Sequence, residues 1–199
     1  VDNNSSDGSQ KSIRSKFPHI TLIRNNFNAG YSRAVNQAAR QCKGEYIFIL
    51  NPDTLLTNDT ISELIKISKK IKNFGAIGPK LVSENGNFQQ SFWEMPTVLN
   101  TLKSVLYFNS FSSKKKIKEK NNYKTFEVKS LSGAAILVKK NVFKKLNGFN
   151  EDLFWMEDID FFFRMKKLGY GVYFCPKTEI IHYAGKSSEK NYNVSISNQ

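Results

Sequence analysis

Short apolar runs that alternate with helical patterns constrain the fold of this chain more than any other feature. Runs rich in β-branched and aromatic residues, typical of strands, occur at 19–24, 45–50, 76–82, 133–140 and 171–176. Between them, residues 32–42 and 59–72 repeat apolar positions at helical spacing. This alternation predicts an α/β fold with helices on the faces of a mostly parallel sheet.

One strand ends where chemistry is expected. Residues 45–50 are followed by "NPDT", in which Pro52 interrupts the ladder and leaves Asp53 at the strand tip. Ligands of open α/β sheets collect at the carboxyl ends of strands. A turn or helix-capping role is the alternative for Asp53, although Asn58 or Asp59 can also cap the next helix. Upstream, Gly30 precedes a helix whose free amides can meet an anion, or it forms a simple loop-to-helix junction.

Three acids stand within a strongly apolar stretch, "LFWMEDIDFFFR". We predict a helix over residues 157–168 that ends at Gly169, with Glu157, Asp158 and Asp160 in its first turn. The helix dipole alone favours acids there. It does not explain their position between aromatic residues, which should exclude water and raise the basicity of a carboxylate.

Taken together, the segments resemble the family 2 glycosyltransferases, and especially their rhamnosyltransferase-like bacterial branch. The resemblance rests on the order and spacing of "VDNNSSDGS", "NNFNAGYSRAVNQAA", "GEYIFILNPDT", "GAIGPKLV", "SLSGAAILVKK", "GFNEDLFWMEDIDFFFRMKKLGYGVYFCP" and "IIHYAGKS". It implies the nucleotide-sugar-binding GT-A fold. We assign residues 1–190 to one such domain and 191–199 to a C-terminal tail.

The resemblance also implies a metal site. "NPD" corresponds to the aspartate motif that binds the donor's diphosphate through a divalent cation, so Asp53 should be a metal ligand, with Asn51 in place of the first acid. Mg²⁺ and Mn²⁺ suit one carboxylate that shares the ion with substrate phosphates. His182 corresponds to a late histidine that can complete the coordination, and an ordinary strand-end histidine is the alternative.

The same resemblance implies roles in catalysis. "MEDID" matches the family's acidic motif, so Asp158 is expected to be the general base of a single inverting displacement at the sugar. Glu157 is expected to assist in acceptor binding. Asp160 is expected to contact Arg164 one turn later.

Further positions follow by the same correspondence. In the donor pocket, Asp2 matches the acid that contacts the nucleobase, while Asn28, Gly30, Arg33 and Asn36 match positions around the nucleoside and diphosphate. On the acceptor side, the matching residues are Ser132, Gly133 and Trp93, and for Trp93 core packing is the alternative.

The chain departs from the family at its beginning. A strand and loop of the family precede the position of "VDNNSSDGS", which here opens the sequence. The segment that would complete the sheet and cradle the base and ribose is therefore expected either to precede Val1 or to be lost in a truncated gene product.

The charge of the chain is compatible with several partners. A net charge of +13 attracts polyanions, but no aromatic and basic pattern typical of RNA-binding sheets is present, so no nucleic-acid partner is expected. The expected partners are a nucleotide-sugar donor and a glycan or lipid-linked acceptor. Residues 99–108, beside Lys114–Lys118, form either an interfacial helix in peripheral contact with the membrane or a packed segment.

Three hypotheses for function follow. The first is a metal-dependent, inverting glycosyltransferase that works in the cytoplasm, at the inner face of the membrane, in surface-polysaccharide synthesis. The second is a truncated, inactive homologue that serves as a binding module. The third is a polyanion binder that acts through charge alone.

Overall fold

The computed structural model describes residues 1–57, 59–95 and 123–183. The helices are α1 (Ser9–Lys16), α2 (Tyr31–Gln41), α3 (Thr60–Ser68), α4 (Lys140–Lys145) and α5 (Glu157–Lys167). The strands are β1 (Tyr46–Leu50), β2 (Thr54–Leu56), β3 (Phe74–Val82), β4 (Phe92–Trp93), β5 (Phe126–Glu127), β6 (Ser130–Leu131), β7 (Ala135–Lys139) and β8 (Gly171–His182).

The central sheet is mixed, so the prediction of a mostly parallel sheet was wrong. Its strand order is β1-β7-β3-β8-β2, and β5 also pairs with β8. Only β3 and β8 run parallel among these described strands; the other pairs are antiparallel. An apolar run shows that a strand is buried on both faces but carries no information about its direction.

The strand directions bring several chain segments to the same end of the sheet, where strands start or finish. β1 ends beside the start of β7, where Leu50 pairs with Ala135. β8 ends at His182, which pairs with Thr54 at the start of β2. These strand ends bring three segments together at the same end of the sheet: residues 51–53, 132–134 and 182–183. We call this end of the sheet the site edge.

Helices cover both faces of the sheet, as predicted. On one face, α3 packs through Leu64 against Phe74, Ile77 and Leu137. The other face carries the largest cluster, which takes side chains from α2, α4 and α5. Phe161 and Phe162 of α5 are fully buried in it, and truncating either to Ala should cost about 3–5 kcal/mol.

Helix α5 begins and ends close to the predicted positions. Its three acids lie in the first turn and its basic residues in the last, as the helix dipole favours. Met156, immediately before the helix, has a backbone φ of +66°, a value that residues other than glycine rarely adopt. At the other end, Gly169 has a φ of +79° and terminates the helix.

Some predictions fall elsewhere. Residues 19–24 do not form a strand, so this prediction was wrong; among them Arg24 alone pairs, in an isolated bridge with Asp2. The tail at 191–199, the segment 99–108, Lys114–Lys118 and Asn58 lie outside the described residues. Asp59 is the N-cap of α3 but makes no capping bond with its side chain. Within the described ranges, no helix is long and apolar enough to cross a bilayer.

Candidate active site

The carboxylate of Asp158 is fixed by backbone amides at the site edge. Its Oδ2 accepts a hydrogen bond from Gly133 N at 3.2 Å, and its Oδ1 accepts one from Ile159 N at 2.8 Å. The hydroxyl of Tyr31, at the start of α2, donates to Gly133 O at 2.8 Å. Helices α5 and α2 thus meet at the segment that joins β6 to β7.

Burial makes this group of residues less acidic than usual. Desolvation raises the pKa of Asp158, although the amides of Ile159 and Gly133 oppose the shift. Desolvation, together with the charge of Asp158, also raises the pKa of Glu157. Burial and then these two carboxylates raise the pKa of Tyr31, which keeps its hydroxyl protonated as a donor. We call Glu157 and Asp158 the acid pair.

The acid pair includes one carboxylate oxygen without a partner. Glu157 Oε2 is buried and has no hydrogen-bond partner among the described residues. Such an oxygen is costly unless a ligand hydroxyl or a proton satisfies it. The arrangement can therefore accept a proton at Asp158 and a hydroxyl group at Glu157.

Replacing Glu157 by Gln should stabilise the metal-free protein at neutral pH. A raised pKa in the folded state means that the stabilising contribution of Glu157 is fully present below its unfolded pKa of about 4.3 and is lost as pH rises through the folded value. We expect the variant to melt about 2–4 °C higher than the wild type at about pH 7.5. At about pH 4 the two proteins should melt at the same temperature. Thermal unfolding at both pH values tests this, and a stabilisation that persists in acid would contradict it.

Asp53 and His182 form a second pair at the site edge. The pairing of β2 with β8 brings them together, and Tyr183 N donates to Asp53 O at 2.9 Å. His182 Nε2 lies 3.6 Å from Asp53 Oδ1. This carboxylate oxygen is buried and has no hydrogen-bond partner in the part of the chain that the structure describes. A cation between the two side chains would satisfy both atoms.

The chemistry of this Asp53–His182 pair suits Mg²⁺ or Mn²⁺ shared with a substrate. Across the described residues, no cluster of three or more His, Cys, Asp or Glu side chains could hold a metal. A site closed by protein ligands alone is therefore not formed by them. Mg²⁺ commonly uses one or two carboxylates and completes its shell with water and substrate phosphates, and an imidazole is compatible with Mn²⁺.

Asn51 connects the two pairs. Asn51 N donates to Ala134 O at 2.9 Å, and Asn51 O accepts from Thr54 Oγ1 at 2.7 Å. Residues 132–134 thus contact the acid pair on one side and the strand tip that carries Asp53 on the other. A continuous chain of hydrogen-bonded segments joins the predicted base to the predicted metal ligand.

Several residues predicted to line the donor pocket lie together beside this edge. Asn28 Oδ1 accepts from Gly30 N at 3.1 Å, and Asn3 Nδ2 donates to Gly30 O at 3.2 Å. Gly30 has a φ of +83° and open space where a side chain would begin. The carboxylate of Asp2 is buried, but hydrogen bonds from Ser5 and Gln10 outweigh the desolvation and lower its pKa. Asp2 is therefore a charged group here.

Asn36 and Arg33 contact a different segment. Asn36 Nδ2 donates to Phe149 O and to Glu151 Oε1, both at 2.9 Å, and its Oδ1 accepts from Phe149 N at 2.9 Å. Arg33 Nε lies 3.5 Å from Glu151 Oε2. The polar atoms of Asn36 are thus used to hold the chain after Gly148, where an added Cβ would lie 2.2 Å from Asn36 Oδ1. Roles of Asn36 and Arg33 toward a nucleotide stay predictions.

The residues predicted on the acceptor side are partly grouped. Ser132 precedes Gly133 at the site edge, and its backbone N donates to Ser91 O at 3.0 Å. Trp93 pairs with Ser130 in the small β4–β6 sheet and is 42% exposed, which argues against core packing. Asp160 contacts Arg164 at 2.8 Å as predicted, and Arg164 also donates to Leu146 O and Gly148 O.

Sequence reasoning missed three features of the site. Tyr31 was not singled out, although it follows Gly30 directly. Gln89 begins the segment "QQSFWEMP", which resembles the acceptor-side loop of the family, but its contact with the distant His182 was not predicted. The run from Leu153 to Met156 was treated only as an apolar neighbourhood. All four of its side chains are exposed, Phe154 and Trp155 at 68% and 72%.

Comparison with protein families gives two matches. The model "Glycosyl transferase family 2" matches residues 1–147, and the model "N-terminal domain of galactosyltransferase" matches residues 114–186. An N-acetylglucosaminyl-diphospho-decaprenol L-rhamnosyltransferase of Mycobacterium tuberculosis is 26% identical over 208 residues, covering 96% of this chain and 67% of the relative. Rhamnosyltransferase WbbL of Escherichia coli K12 is 27% identical, covering 80% of this chain and 59% of the relative.

Solved glycosyltransferases share the fold. A mannosyltransferase of Pyrobaculum calidifontis, PcManGT, in complex with GDP-Man and Mn²⁺ superposes with a TM-score of 0.64 and 19% identity over 99% of this chain and 50% of its own. GalNAc-T7 with UDP, GalNAc and Mn²⁺ gives 0.63 and 13% over 89% of this chain and 35% of its own. This chain thus spans a third to a half of these structures. Its fold is an α/β, GT-A-like fold, and with the family match over residues 1–147 the chain belongs to glycosyl transferase family 2.

Proposed function

We propose that this chain carries the catalytic site of an inverting, metal-dependent glycosyltransferase. It transfers a sugar from a nucleotide-diphosphate sugar, either dTDP-rhamnose or a UDP-sugar, to a glycan or lipid-linked acceptor in the synthesis of a surface polysaccharide. The names of the Mycobacterium tuberculosis and Escherichia coli relatives support a rhamnosyl donor, and the first also supports a lipid-diphosphate acceptor.

One observation carries the proposal. The acid pair lies more than a hundred positions from Asp53 in sequence. Nevertheless the acid pair and the Asp53–His182 pair both contact segments of the site edge, and Asn51 and residues 132–134 join them. Each pair has a buried carboxylate oxygen without a partner in the described chain. A proton-accepting group and a phosphate-binding group at one edge are what sugar transfer from a nucleoside diphosphate requires.

In this mechanism Asp158 removes the proton from the acceptor hydroxyl. The amides of Gly133 and Ile159 hold its carboxylate in one orientation, and burial raises its basicity. The acceptor oxygen attacks the anomeric carbon on the face opposite the leaving group, so a single displacement inverts the configuration. Glu157 binds a second acceptor hydroxyl through its unpaired oxygen. Neighbouring negative charge also stabilises the oxocarbenium-like transition state.

The other side of the site holds the nucleoside diphosphate. The amide end of α2 after Gly30 favours an anion, Asn28 contacts Gly30, and Asp2 would contact the nucleobase. Asp53 and His182 would hold the divalent cation, which when bound supplies charge neutralisation for the leaving diphosphate. Arg33 contributes positive charge near the same helix end.

The exposed run from Leu153 to Met156 is proposed to contact the acceptor. It leads directly into the acid pair, and the rings of Phe154 and Trp155 are 6.2 Å apart in an edge-to-face arrangement. Large exposed apolar residues next to a site usually mark a binding surface. Aromatic faces beside carboxylates can stack on a sugar ring while the carboxylates accept its hydroxyl protons.

Trp155→Ala should therefore raise KM for the acceptor by about tenfold while changing KM for the donor little, because about 1–2 kcal/mol of aromatic contact would be lost. Initial rates with one substrate varied at a time provide the measurement. Phe163→Ala is the matched control, since Phe163 is a 47% exposed aromatic residue further along α5. Equal effects of the two variants on the acceptor would contradict the role of Trp155.

A donor screen tests the proposal as a whole. Calorimetric titration of dTDP-rhamnose, UDP-sugars and GDP-mannose, each with and without Mn²⁺, should identify one donor whose binding is much tighter with the metal than without it. Turnover of that donor, followed by NMR of the product, should give the inverted anomer. Retention of configuration would contradict the mechanism. Failure of every donor to bind would favour an inactive binding module instead.

A further inference from the structure

We propose that Gln89 is a positioning residue that sets the tautomer and orientation of His182. This inference rests on the proposed metal site and concerns a residue outside it. His182 Nδ1 lies 2.9 Å from Gln89 Oε1, and Gln89 Nε2 donates to the backbone oxygen of His182 at 2.9 Å. One side-chain amide therefore contacts both the ring and the main chain of the same histidine.

This double contact allows only one orientation of the amide. The backbone oxygen of His182 can only accept, so the Gln89 group that faces it must be the NH₂ group. The opposite orientation would place two acceptor oxygens against each other. Gln89 Oε1 is consequently fixed toward the ring, and since Oε1 can only accept, Nδ1 must carry a hydrogen and donate it.

The tautomer follows from this bond. In a neutral imidazole one nitrogen is a donor and the other an acceptor. With the hydrogen on Nδ1, the lone pair is on Nε2, the atom that lies 3.6 Å from the unpartnered Asp53 Oδ1. Nε2 cannot then donate to this carboxylate. The lone pair of Nε2 therefore faces the carboxylate oxygen of Asp53. An imidazole with a free lone pair on Nε2 can ligate a cation.

The backbone around Gln89 holds it in this place. Gln89 N donates to Leu81 O at 2.9 Å, and Phe88 forms an antiparallel bridge with Val82. The turn is closed by Ser83 N bonding to Asn87 O at 2.8 Å. Gln89 is thus on the returning arm of a hairpin that begins with β3. Because β3 pairs in parallel with β8, the hairpin brings Gln89 to the end of β8 where His182 lies.

The tautomer can be measured in the metal-free protein. A long-range ¹H–¹⁵N correlation distinguishes a neutral ring from an imidazolium and, in a neutral ring, shows which nitrogen carries the hydrogen. The chain has two histidines, and the exposed His19 provides an internal reference. We expect a protonated Nδ1 at His182 in the wild type. Gln89→Leu should shift the population toward a protonated Nε2, whereas Gln89→Glu, which loses the bond to the His182 backbone oxygen but keeps an acceptor for Nδ1, should keep the hydrogen on Nδ1.

A second measurement follows the consequence for the metal. Binding of Mn²⁺ alone, read from the loss of the free-ion signal in electron paramagnetic resonance, should weaken by about 10–100-fold in Gln89→Leu. Gln89→Glu should stay within about threefold of the wild type. Gln90→Leu is the matched control, because Gln90 is the next residue of the hairpin and contacts Phe92 O instead. It should change neither the tautomer nor the affinity.

The outcomes separate this inference from the proposed function. A neutral His182 ring that carries its hydrogen on Nε2 in the wild type, or a tautomer unchanged in Gln89→Leu, would overturn the role of Gln89 whatever the enzyme's activity. A changed tautomer with unchanged Mn²⁺ affinity would overturn the consequence for the metal. A wild-type chain with the expected tautomer but no Mn²⁺ binding would confirm the control of the ring by Gln89 and contradict the metal site.

Discussion

Replacement of Asp158 by Asn is expected to lower kcat by about 10³-fold and to leave the affinity for the donor within about twofold of the wild type. The amide keeps the shape of the side chain and can still accept a hydrogen bond from Gly133 or Ile159. It cannot take the acceptor's proton. Single-turnover kinetics and calorimetric titration of the donor measure the two quantities independently.

Two comparisons make this result specific. Asp152→Asn removes an exposed acid in the loop before the helix and should keep near-native turnover. In the wild type, kcat/KM should fall as pH decreases through the raised pKa of Asp158, because the protonated side chain is no longer a base. Near-native turnover in Asp158→Asn would show that another group accepts the proton.

Replacement of Asp53 by Ala should weaken Mn²⁺-dependent donor binding by about 100-fold or more. The variant removes the buried carboxylate oxygen that faces His182 at 3.6 Å, and with it the charged member of the pair. Binding of the donor in the absence of metal should change little, since the amides near Gly30 remain. Titrations with and without Mn²⁺ separate these two contributions.

Asp59→Ala is the matched control for Asp53. Asp59 also follows the strand tip, but it is exposed and makes no capping bond with its side chain. We expect its donor affinity and metal dependence to equal those of the wild type. Equal losses in the two variants would indicate a general effect of negative charge on this surface rather than metal ligation by Asp53.

The sequence predicted elements better than their arrangement. Helices α2, α3 and α5 and strands β1, β3, β7 and β8 lie near their predicted positions, because periodicity and flanking glycines report local burial. Strand direction escaped prediction. β7 lies between β1 and β3 and runs against both, and this pairing depends on long-range contacts that an apolar run does not encode.

The candidate site was predictable where chemistry is concentrated in a short motif. Asp158 and Asp53 stood out because charged residues interrupt apolar runs at a helix start and a strand tip. Gln89 did not, since its partner lies 93 positions away and a glutamine in a hairpin is unremarkable by composition. Asn36 was expected near the nucleotide, but its three hydrogen bonds, to Phe149 and Glu151, depend on a loop whose course no local pattern reveals.

The hydrogen bonds of Asn36 and Arg164 also limit how this site can move. Asn36 fastens the chain at Phe149 and Glu151, and Arg164 fastens helix α5 to the carbonyls of Leu146 and Gly148. The loop between Glu151 and helix α5 is therefore held at both ends by hydrogen bonds to helices. The four exposed residues from Leu153 to Met156 lie between these anchors. In the proposed function they would become ordered around the sugar, at an entropy cost of about 1–2 kcal/mol per residue. In the proposed function, the loop could therefore rearrange around a sugar while the carboxylate of Asp158 keeps its hydrogen bond to Gly133.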